Sequence, residues 1–363
     1  MTKIDKKEFG KLKNGDTVYA FTLRDEASGA FVRILSLGGI VQSLMVPDKE
    51  GIMRDVVLGY DTPQEYLEND GYLGALIGRF GNRIADGHLE IDGTVYALNC
   101  NNGANHLHGG NVGFDKRLWA CKIVNDELHL SLLSPDGEEN YPGSLEIKAI
   151  YAFSEGALSI QYFAVSDKKT AINLTNHAYF NLNGEGEEGT TLDHELQINS
   201  SFITPTDAGL IPRGGFKRVH GTPFDFTKPK KLKDGLKEKD QDIDLKQGNG
   251  FDHCFILNKN EDCSSLNKSC DSNSPFAILF SEKSGIEMRC FTDMPAVQFY
   301  GGNGLSARGK GGKQYGNYGA ICLEMQAIPN NVNVPEYAEY GSSIYEAGQE
   351  YRFFAKYAFG VRK

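Results

Sequence analysis

Long apolar runs are missing from this sequence, and their absence argues against one class of protein. The longest nearly apolar stretch, Phe31–Val46, is interrupted by the polar side chains of Arg33, Ser36, Gln42 and Ser43. A helix that spans a bilayer needs about 20 consecutive apolar residues, so we expect no membrane partner. The lysine-rich N-terminal stretch also contains no apolar segment, so we expect no secretory signal.

Cysteine is present but lacks the spacing of a metal site or a disulfide framework. The count of seven is odd, and no two cysteines are separated by two residues. Neither a zinc knuckle nor a set of structural disulfides is therefore indicated. Free thiols in a reducing cytosol are the simplest interpretation, so we expect a cytoplasmic protein. The cysteines are Cys100, Cys121, Cys254, Cys263, Cys270, Cys290 and Cys322.

Positive charge is also in short supply. The chain has 38 lysines and arginines against 48 aspartates and glutamates, which gives a formal net charge of −10. An acidic protein repels phosphate backbones, so we expect no nucleic-acid partner. Hydrophobic residues make up 40% and charged residues 24% of the chain, as in ordinary globular proteins rather than disordered ones.

Helix signals are few, whereas strand and turn signals recur along the chain. The best helix signal is Asp61–Leu67, where a proline stands in the expected first turn. Alternating apolar side chains in Leu128–Leu132 and Leu145–Phe153 predict half-buried antiparallel strands. The pairs Asp92-Gly93 and Glu155-Gly156 predict hairpin turns. The sequence therefore predicts an all-β fold.

Two polar stretches interrupt the strand pattern. A length of 363 residues suggests two or three domains at about 150 residues each, although large β-sandwiches often exceed that size. Lys228–Gly250 has mixed charge and is better explained as a solvated loop than as a binding patch. Asn258–Pro275 is rich in Asn and Ser and is typical of an exposed hairpin tip. Neither stretch has the composition of a domain linker.

Two glycine-containing segments carry groups that can bind hydroxyls or anions. Arg79 and Arg83 stand among small residues, where each guanidinium can present planar donors; a structural salt bridge is the alternative. His106 and His108 precede Gly109-Gly110, and a loop histidine beside two glycines is a good catalytic candidate. Histidines two apart would point the same way in a strand, so a metal site is conceivable, but the spacing supplies no third ligand.

A third segment, Asn173–Asn181, has polar side chains at every second position. In a strand these side chains would share one face. A solvated face usually carries Lys and Glu, whereas this one combines Asn, Thr, His and Tyr. Both a ligand-lining face and a solvated outer face remain open. The residues of this face are Asn173, Thr175, His177, Tyr179 and Asn181.

A carboxylate lies in a short apolar strand near the C-terminus. In Ala320–Gln326 the apolar side chains alternate with polar ones, among them Glu324. We expect a central strand that partly desolvates this carboxyl group, because burial raises a carboxyl pKa and makes a better base near neutral pH. A salt-bridged structural role is the alternative. Asp252 and Gln298 are similar single polar residues in other strand-like runs.

Seven motifs, taken in order, resemble the aldose 1-epimerase (galactose mutarotase) family. The resemblance covers the chain from about residue 38 to the C-terminus, and seven motifs in sequence are highly specific. Departures are small: Phe80-Gly81 replaces the more frequent Val-Ala, and Met325 and Ile328 replace Thr and an aromatic residue. Met325 is expected to point away from the cleft. The motifs are Gly78-Arg79 with Asn82-Arg83-Ile84; Leu107-His108-Gly109-Gly110 with Gly113-Phe114-Asp115-Lys116 and Trp119; Thr175-Asn176-His177-Ala178-Tyr179-Phe180-Asn181-Leu182; Gly221-Thr222-Pro223-Phe224-Asp225-Phe226; Gly250-Phe251-Asp252-His253; Val297-Gln298-Phe299-Tyr300; and Leu323-Glu324.

The resemblance implies a fold, a substrate and a site. It implies one large antiparallel β-sandwich over residues 1–363, with an open cleft for a small-molecule aldose and no metal or other cofactor. It implies Glu324 as the general base, His177 as the general acid, and His108 as a second histidine near the ring oxygen or the anomeric carbon. We expect a monomer or a weak homodimer. The sugar hydroxyls would be held by Asn82, Arg83, Tyr179, Asp252 and Gln298.

The chemistry of anomer interconversion agrees with this set. The anomeric hydroxyl must lose a proton while the ring oxygen gains one, so one carboxylate and one imidazolium suffice. Three alternatives remain open. A glycoside hydrolase would use Glu324 and Asp252 as a carboxylate pair, a sugar-binding module would bind without turnover, and a hexose-6-phosphate 1-epimerase would show clustered Arg and Lys.

Overall fold

Short antiparallel strands dominate the computed structural model, which describes residues 2–187, 189–258 and 274–362. In this part of the chain no helix is long and apolar enough to cross a membrane. The strands are β1 (Thr2–Lys11), β2 (Thr17–Asp25), β3 (Phe31–Leu35), β4 (Val41–Pro47), β5 (Met53–Asp55), β6 (Leu76–Ile77), β7 (Arg83–Ile84), β8 (His88–Ile91), β9 (Thr94–Ala97), β10 (His106–Leu107), β11 (Ala120–Val124), β12 (Glu127–Ser134), β13 (Leu145–Ser154), β14 (Ala157–Ser166), β15 (Thr170–Ala171), β16 (Thr175–Asn176), β17 (Glu195–Ile198), β18 (Ser200–Ile203), β19 (Lys217–Arg218), β20 (Lys230–Lys231), β21 (Asp252–Leu257), β22 (Ala277–Phe280), β23 (Ile286–Thr292), β24 (Ala296–Tyr300), β25 (Ala307–Arg308), β26 (Gln314–Tyr315), β27 (Cys322–Gln326), β28 (Ile344–Tyr345) and β29 (Tyr351–Val361).

Helices are few and short, as the sequence predicts. The α-helices are α1 (Pro63–Glu68), α2 (Leu232–Leu236) and α3 (Ile243–Gln247). Single 3₁₀ turns occur at Ala85–Gly87, Phe114–Lys116, Glu138–Asn140, Thr191–Asp193, Lys310–Gly312 and Pro335–Tyr340. Helix α1 begins with a capping box in which Thr62 and Glu65 bond to each other's backbone N–H groups. The helix predicted at Asp61–Leu67 is confirmed.

Three large sheets organise the strands. The first has the order β1-β2-β3-β4-β5, the second β11-β12-β13-β14-β29-β23-β22-β17-β20, and the third β19-β18-β21-β24-β27. Neighbouring strands within these sheets pair in the antiparallel sense; strand β13, for example, pairs with both β12 and β14 in this way. The prediction of an all-β antiparallel fold is confirmed.

Several strands of the first and second sheets bury one face in a shared core. Along β13, buried and exposed residues alternate, so the side chains of Ile147 and Tyr151 point inward. They belong to the same buried cluster as Phe21 and Val32 of the first sheet and Phe353 of β29. Burial of apolar side chains from facing sheets is the stabilising feature of a β-sandwich.

Two hairpins turn where the sequence places them. At Asp92-Gly93, between β8 and β9, φ is 50° and then 77°; at Glu155-Gly156, between β13 and β14, it is 51° and then 69°. Two successive residues with positive φ form the type I′ geometry that matches the twist of paired strands. Glycine at the second position makes this conformation accessible without a steric cost.

The two polar stretches differ from their prediction. Lys228–Gly250 is not an unstructured loop: it contains β20, α2 and α3, and Lys217 bonds to both Asp242 and Asp244 at 2.9 and 2.6 Å. Side-chain caps and ion pairs replace the apolar pattern that would have marked these elements. The stretch Asn258–Pro275 lies mostly outside the described residues, and the flanking strands β21 and β22 belong to different sheets.

Strand β27 lies at the end of its sheet rather than at the centre, where the sequence placed it. Its ladder partner is β24 alone, yet all five of its residues are buried. Just before the strand, Phe180 and Ile321 exchange two backbone hydrogen bonds. Met325 packs in the core, as expected. Ile328 packs in a separate buried cluster with Cys254 and Tyr337.

Candidate active site

An open cleft of about 400 Å³ brings together seven of the eight residues singled out from the sequence. Its walls come from loops after α1, β10 and β24, and from the third sheet. Gln298 is not on the wall; it lies beside the cleft, opposite Glu324 in the ladder of β24 and β27. The seven lining residues are Asn82, Arg83, His108, His177, Tyr179, Asp252 and Glu324.

Glu324 and His177 form the innermost pair of the cleft. The Nε2 atom of His177 lies 3.7 Å from Oε1 of Glu324, and the two side chains are only 7% and 2% exposed. The other carboxylate oxygen of Glu324 is buried and has no hydrogen-bond partner. A buried acceptor without a partner is costly in a folded protein, which is expected where a substrate hydroxyl would complete the set.

Burial raises the pKa of Glu324 and lowers the pKa of His177. Desolvation, with a smaller contribution from the charge of Asp252, holds the pKa of Glu324 well above its usual range. Desolvation lowers the pKa of His177 to about 4, although its own backbone and Asp252 act in the opposite direction. Because each partner resists its charged form, the pair retains one proton over a wide range of pH. A shared proton of this kind can move between the two groups and a substrate.

His108 is held in one protonation state by the backbone. The backbone N–H of Asn82 donates to Nδ1 of His108 at 3.1 Å, and the N–H of His108 donates back to the carbonyl of Asn82 at 3.1 Å. Both residues adopt positive φ, 64° and 52°. Since Nδ1 accepts a hydrogen bond, the proton of the neutral ring resides on Nε2. His108 therefore serves as a fixed hydrogen-bond donor in this arrangement.

The same tautomer argues against a metal site. His108, His177 and Glu324 each place one potential ligand atom within 4.8 Å of the others, which is the composition of a two-histidine, one-carboxylate centre. A metal ligand needs a free lone pair on its nitrogen, but Nε2 of His108 carries the proton. His108 would have to break its bond to the Asn82 N–H before it could bind an ion. This hydrogen-bond pattern supports the expectation that the site uses no metal.

Arg83 and Asp252 provide the charged groups of the cleft wall. Arg83 is half-buried, its Nε donates to Asn102 at 3.1 Å, and in the described residues it joins no ion pair. The remaining guanidinium donors are available to a ligand. Asp252 accepts from Nε2 of Gln298 at 2.7 Å, which fixes its carboxylate toward the cleft. Gln298 therefore acts through Asp252 rather than on the cleft itself.

Two residues of the sequence motifs have structural roles instead. Arg79 is buried and donates to backbone carbonyls of Pro142 and Gly143 and to the hydroxyl of Ser134. His106 is buried and bonds to the Asn99 carbonyl and to the Tyr141 hydroxyl. The prediction that His106 and His108 point the same way is wrong, because His108 has left the extended conformation at φ 52°.

The polar segment Asn173–Asn181 is only partly a strand. Ladder pairing is limited to β16, and all nine residues are buried. His177 and Tyr179 line the cleft, whereas Asn173 donates to the Gly81 carbonyl and Asn181 to the Gly319 carbonyl. A face of alternating polar residues is therefore split between ligand-facing groups and groups that satisfy the backbone of irregular segments.

Several lining residues were not found from the sequence. Tyr72 and its neighbours follow α1, and Tyr300 ends β24 with the turn to Gly304 and Leu305 beyond it. Tyr300 belongs to the motif that contains Gln298 and could have been noticed there. Nothing in the local pattern marks Tyr72, because its place in the cleft depends on the pairing of β6 with β16.

The buried carboxyl group of Glu324 predicts an unusual stability effect. Its pKa is raised on folding, so the favourable contribution is present below the unfolded value of about 4.3 and is lost as pH rises through the folded value. Glu324→Gln is therefore expected to stabilise the protein at neutral pH by about 0.5–2 kcal/mol. The gain should vanish near pH 4. Thermal unfolding of both proteins across this range measures it.

Glu287→Gln provides a control of opposite sign. Burial raises the pKa of Glu287, but bonds from Arg289 and Arg362 outweigh burial and lower it overall. The same substitution there removes two ion pairs and should destabilise the protein at neutral pH. Equal effects of the two substitutions would contradict the assignment of Glu324 as a carboxyl group whose pKa is raised by burial.

Comparison with known proteins agrees with this fold. Residues 19–358 match the family described as Aldose 1-epimerase. The crystal structure of galactose 1-epimerase from Lactobacillus acidophilus NCFM superposes with a TM-score of 0.83 at 27% identity, covering 100% of both chains. An aldose epimerase homologue from C. elegans gives a TM-score of 0.82 at 27% identity, covering 93% of this chain and 97% of that one.

Sequence relatives extend over the full length of the chain. The galactose mutarotase of Sus scrofa is 38% identical over 364 residues, which cover 99% of this chain and 100% of the relative. The aldose 1-epimerase of Escherichia coli (strain K12) is 34% identical over 349 residues, covering 95% and 96%. The chain therefore belongs to the aldose 1-epimerase family. It is an isomerase that interconverts the α and β anomers of an aldose.

Proposed function

We propose that Glu324 is the general base and His177 the general acid of this isomerase, acting on a free aldohexose. The observation that carries the proposal is the approach of His177 Nε2 to Glu324 Oε1 at 3.7 Å in the innermost part of the cleft. An acid and a base at this separation can reach the two oxygen atoms that share the anomeric carbon. Their roles reverse when the ring closes again.

Ring opening follows from this arrangement. Glu324 accepts the proton of the anomeric hydroxyl while Nε2 of His177 gives a proton to the ring oxygen, and the bond between the anomeric carbon and the ring oxygen breaks. The open-chain aldehyde then rotates about its C1–C2 bond. Reclosure returns the proton from the former ring oxygen to His177 and the proton on Glu324 to the new anomeric hydroxyl, so no proton is gained or lost overall.

We infer a different role for His108. Nδ1 of His108 accepts a hydrogen bond from the Asn82 N–H. This nitrogen could therefore take up a second proton only if that hydrogen bond were lost. Burial, followed by the charges of His177 and Arg83, also holds the pKa of His108 well below its usual range. His108 thus donates its Nε2–H to a sugar oxygen near the reacting centre and stays neutral throughout the cycle.

We propose galactose and glucose as substrates, held by Asn82, Arg83, Tyr179 and Asp252. The relatives named galactose mutarotase support galactose. Among the described lining residues Arg83 is the only lysine or arginine, and a single cation beside acidic groups suits a neutral sugar better than a sugar phosphate. A hexose-6-phosphate 1-epimerase is therefore the less favoured activity.

Polarimetry separates the candidate functions. Freshly dissolved α-D-galactose and α-D-glucose should reach their equilibrium rotation faster with the protein than without it. Glucose 6-phosphate should be accelerated at least about tenfold less, because a dianion lacks a second cation to pair with. Methyl galactoside should release no sugar. Preference for the phosphate, or hydrolysis of the glycoside, would reject the proposed activity, and binding without acceleration would indicate a sugar-binding module.

We also propose the setting of this activity. The cleft draws on residues from Tyr60 to Glu324, which supports one domain over residues 1–363. The five cysteines in the described residues are free thiols, which supports a cytoplasmic location and a role in galactose metabolism there.

We propose a monomer or weak homodimer, which sedimentation at several protein concentrations would test.

A further inference from the structure

One aromatic side chain contacts both histidines of the cleft without being either acid or base. The ring of Tyr72 lies 4.7 Å from the ring of His108 and 6.0 Å from that of His177, measured between centroids. The two imidazole rings are themselves 5.2 Å apart in an edge-to-face arrangement. Tyr72 therefore packs against the pair at the point where they meet.

The backbone of Tyr72 has an uncommon conformation. Its φ is 54°, in the left-handed region that a bulky aromatic residue rarely adopts. Residues in such conformations cost of order 1–3 kcal/mol and are retained where the surrounding structure imposes them. The segment that follows is fixed to the backbone of His177, because the Gly74 N–H donates to the His177 carbonyl and the His177 N–H donates to the Ala75 carbonyl.

The side chain of Asn101 holds the loop that carries His108 in place. It accepts from the Leu107 N–H at 2.8 Å and donates to the carbonyls of Leu107 and Gly110 at 3.0 and 2.9 Å. The segment after Tyr72 is thus tied at its backbone to His177, and the ring of Tyr72 packs against a histidine whose own loop is fixed.

We propose that Tyr72 is a positioning residue of the epimerase, whose ring fixes the spacing of His108 and His177 and keeps water away from Nε2 of His177. The proposal rests on the acid role of His177 proposed above. A ring that shields the imidazole maintains its desolvation, whereas a smaller side chain would admit water to the same place. Loss of the ring should therefore misplace the acid and make it easier to protonate.

Titration of His177 depends on several groups besides Tyr72. Burial keeps its pKa at about 4, although Asp252 acts in the opposite direction, so water admitted by a smaller side chain at position 72 should raise that pKa. The groups that face the imidazole are His108, Tyr179, Cys322, Glu324 and Asp252. Substitution at position 72 leaves the chemical identity of all five unchanged, and Tyr72→Phe, which keeps the ring, separates the effect of the ring from that of the hydroxyl.

The test compares Tyr72→Leu with Tyr72→Phe by polarimetry and by exchange NMR on galactose. For Tyr72→Leu we expect kcat to fall about 10–100-fold, as for a small misplacement of reacting groups, with KM changed less than about threefold. The acid limb of the rate should move to higher pH. Tyr72→Phe keeps the ring and should retain most of the activity, with the acid limb where the wild type has it.

Tyr318→Leu is the matched control. Tyr318 also has positive φ, 60°, but its hydroxyl bonds to the Asn249 carbonyl, away from the cleft-lining residues. This variant should retain wild-type activity and pH dependence. Thermal unfolding separates loss of fold from loss of positioning.

Three outcomes would overturn the proposal. Tyr72→Leu with wild-type kcat and pH profile would show that the ring is dispensable. A rise in KM at constant kcat would make Tyr72 a sugar contact instead. Equal losses in Tyr72→Phe and Tyr72→Leu would assign the effect to the hydroxyl. Full activity of His177→Asn would show that the acid role proposed for His177 is also wrong. If His177→Asn is inactive while both tyrosine variants are fully active, the acid role of His177 stands and only the role of Tyr72 fails.

Discussion

Glu324→Gln is expected to reduce the acceleration of mutarotation by about 10⁴-fold, to the level of the spontaneous reaction, near the upper range for loss of one general base. The amide has the size of the carboxylate but cannot accept the anomeric proton. The substitution also removes the partner whose raised pKa keeps a proton in the site. His177 alone, with a pKa of about 4, is neutral at pH 7, so the acid is lost together with the base.

Sugar binding should survive this substitution. Arg83 and Asp252 remain on the cleft wall. Calorimetry or saturation-transfer NMR should therefore detect binding of galactose to the variant. Glu287→Gln, on β23 and outside the cleft, should keep wild-type activity. A Glu324→Gln protein that retained a tenth of the wild-type kcat would transfer the base role to another group, with Asp252 the first to examine.

Local turn chemistry is the part of the fold that the sequence predicts best. At Asp92-Gly93 and Glu155-Gly156 a glycine stands at the second turn position, where positive φ is needed, between alternating strands, and both hairpins form there. The short helix α1 is equally local, because its capping residues Thr62 and Glu65 are three apart. Such features depend on neighbours in sequence, so the pattern contains the information.

Contacts between residues far apart in sequence determine features of the fold that the local sequence pattern does not show. Arg79 and Arg83 are indistinguishable as neighbours in sequence, but the carbonyls that bind Arg79 come from Pro142 and Gly143, more than 60 positions away. The sequence predicts a central position for β27, whereas the strand has a ladder partner on one side only and Ile321, just before it, bridges to Phe180. In both cases the partner, not the segment, determines the role.

The site was predicted as a set of residues and not as a geometry. Resemblance to a family supplied Glu324 and His177, and the structure brings them to 3.7 Å. What no motif contained was the protonation of His108, which depends on the backbone of Asn82 in a left-handed conformation. Hydrogen-bond direction of this kind becomes visible only when the loop is folded, and it separates the roles of the two histidines.

His177→Asn is expected to slow turnover by about 10²–10⁴-fold, the usual effect of removing a general acid. Asparagine preserves a polar group near Cys322 but cannot transfer a proton at the position of Nε2. The pH dependence should also change. In the wild type, activity should fall on the acid side as pH drops toward the His177 pKa of about 4, because the pair then takes up a second proton.

In the variant only Glu324 titrates, and it must be ionised to act as the base. Because burial raises its pKa, the residual activity should increase as pH rises through that higher value, so the acid limb moves to higher pH. His129→Asn, on β12 and outside the cleft, should match the wild type. His108→Asn should retain the wild-type acid limb, because a neutral donor does not titrate in this range. If His108→Asn instead shifted the limb while His177→Asn did not, the two histidines would exchange roles.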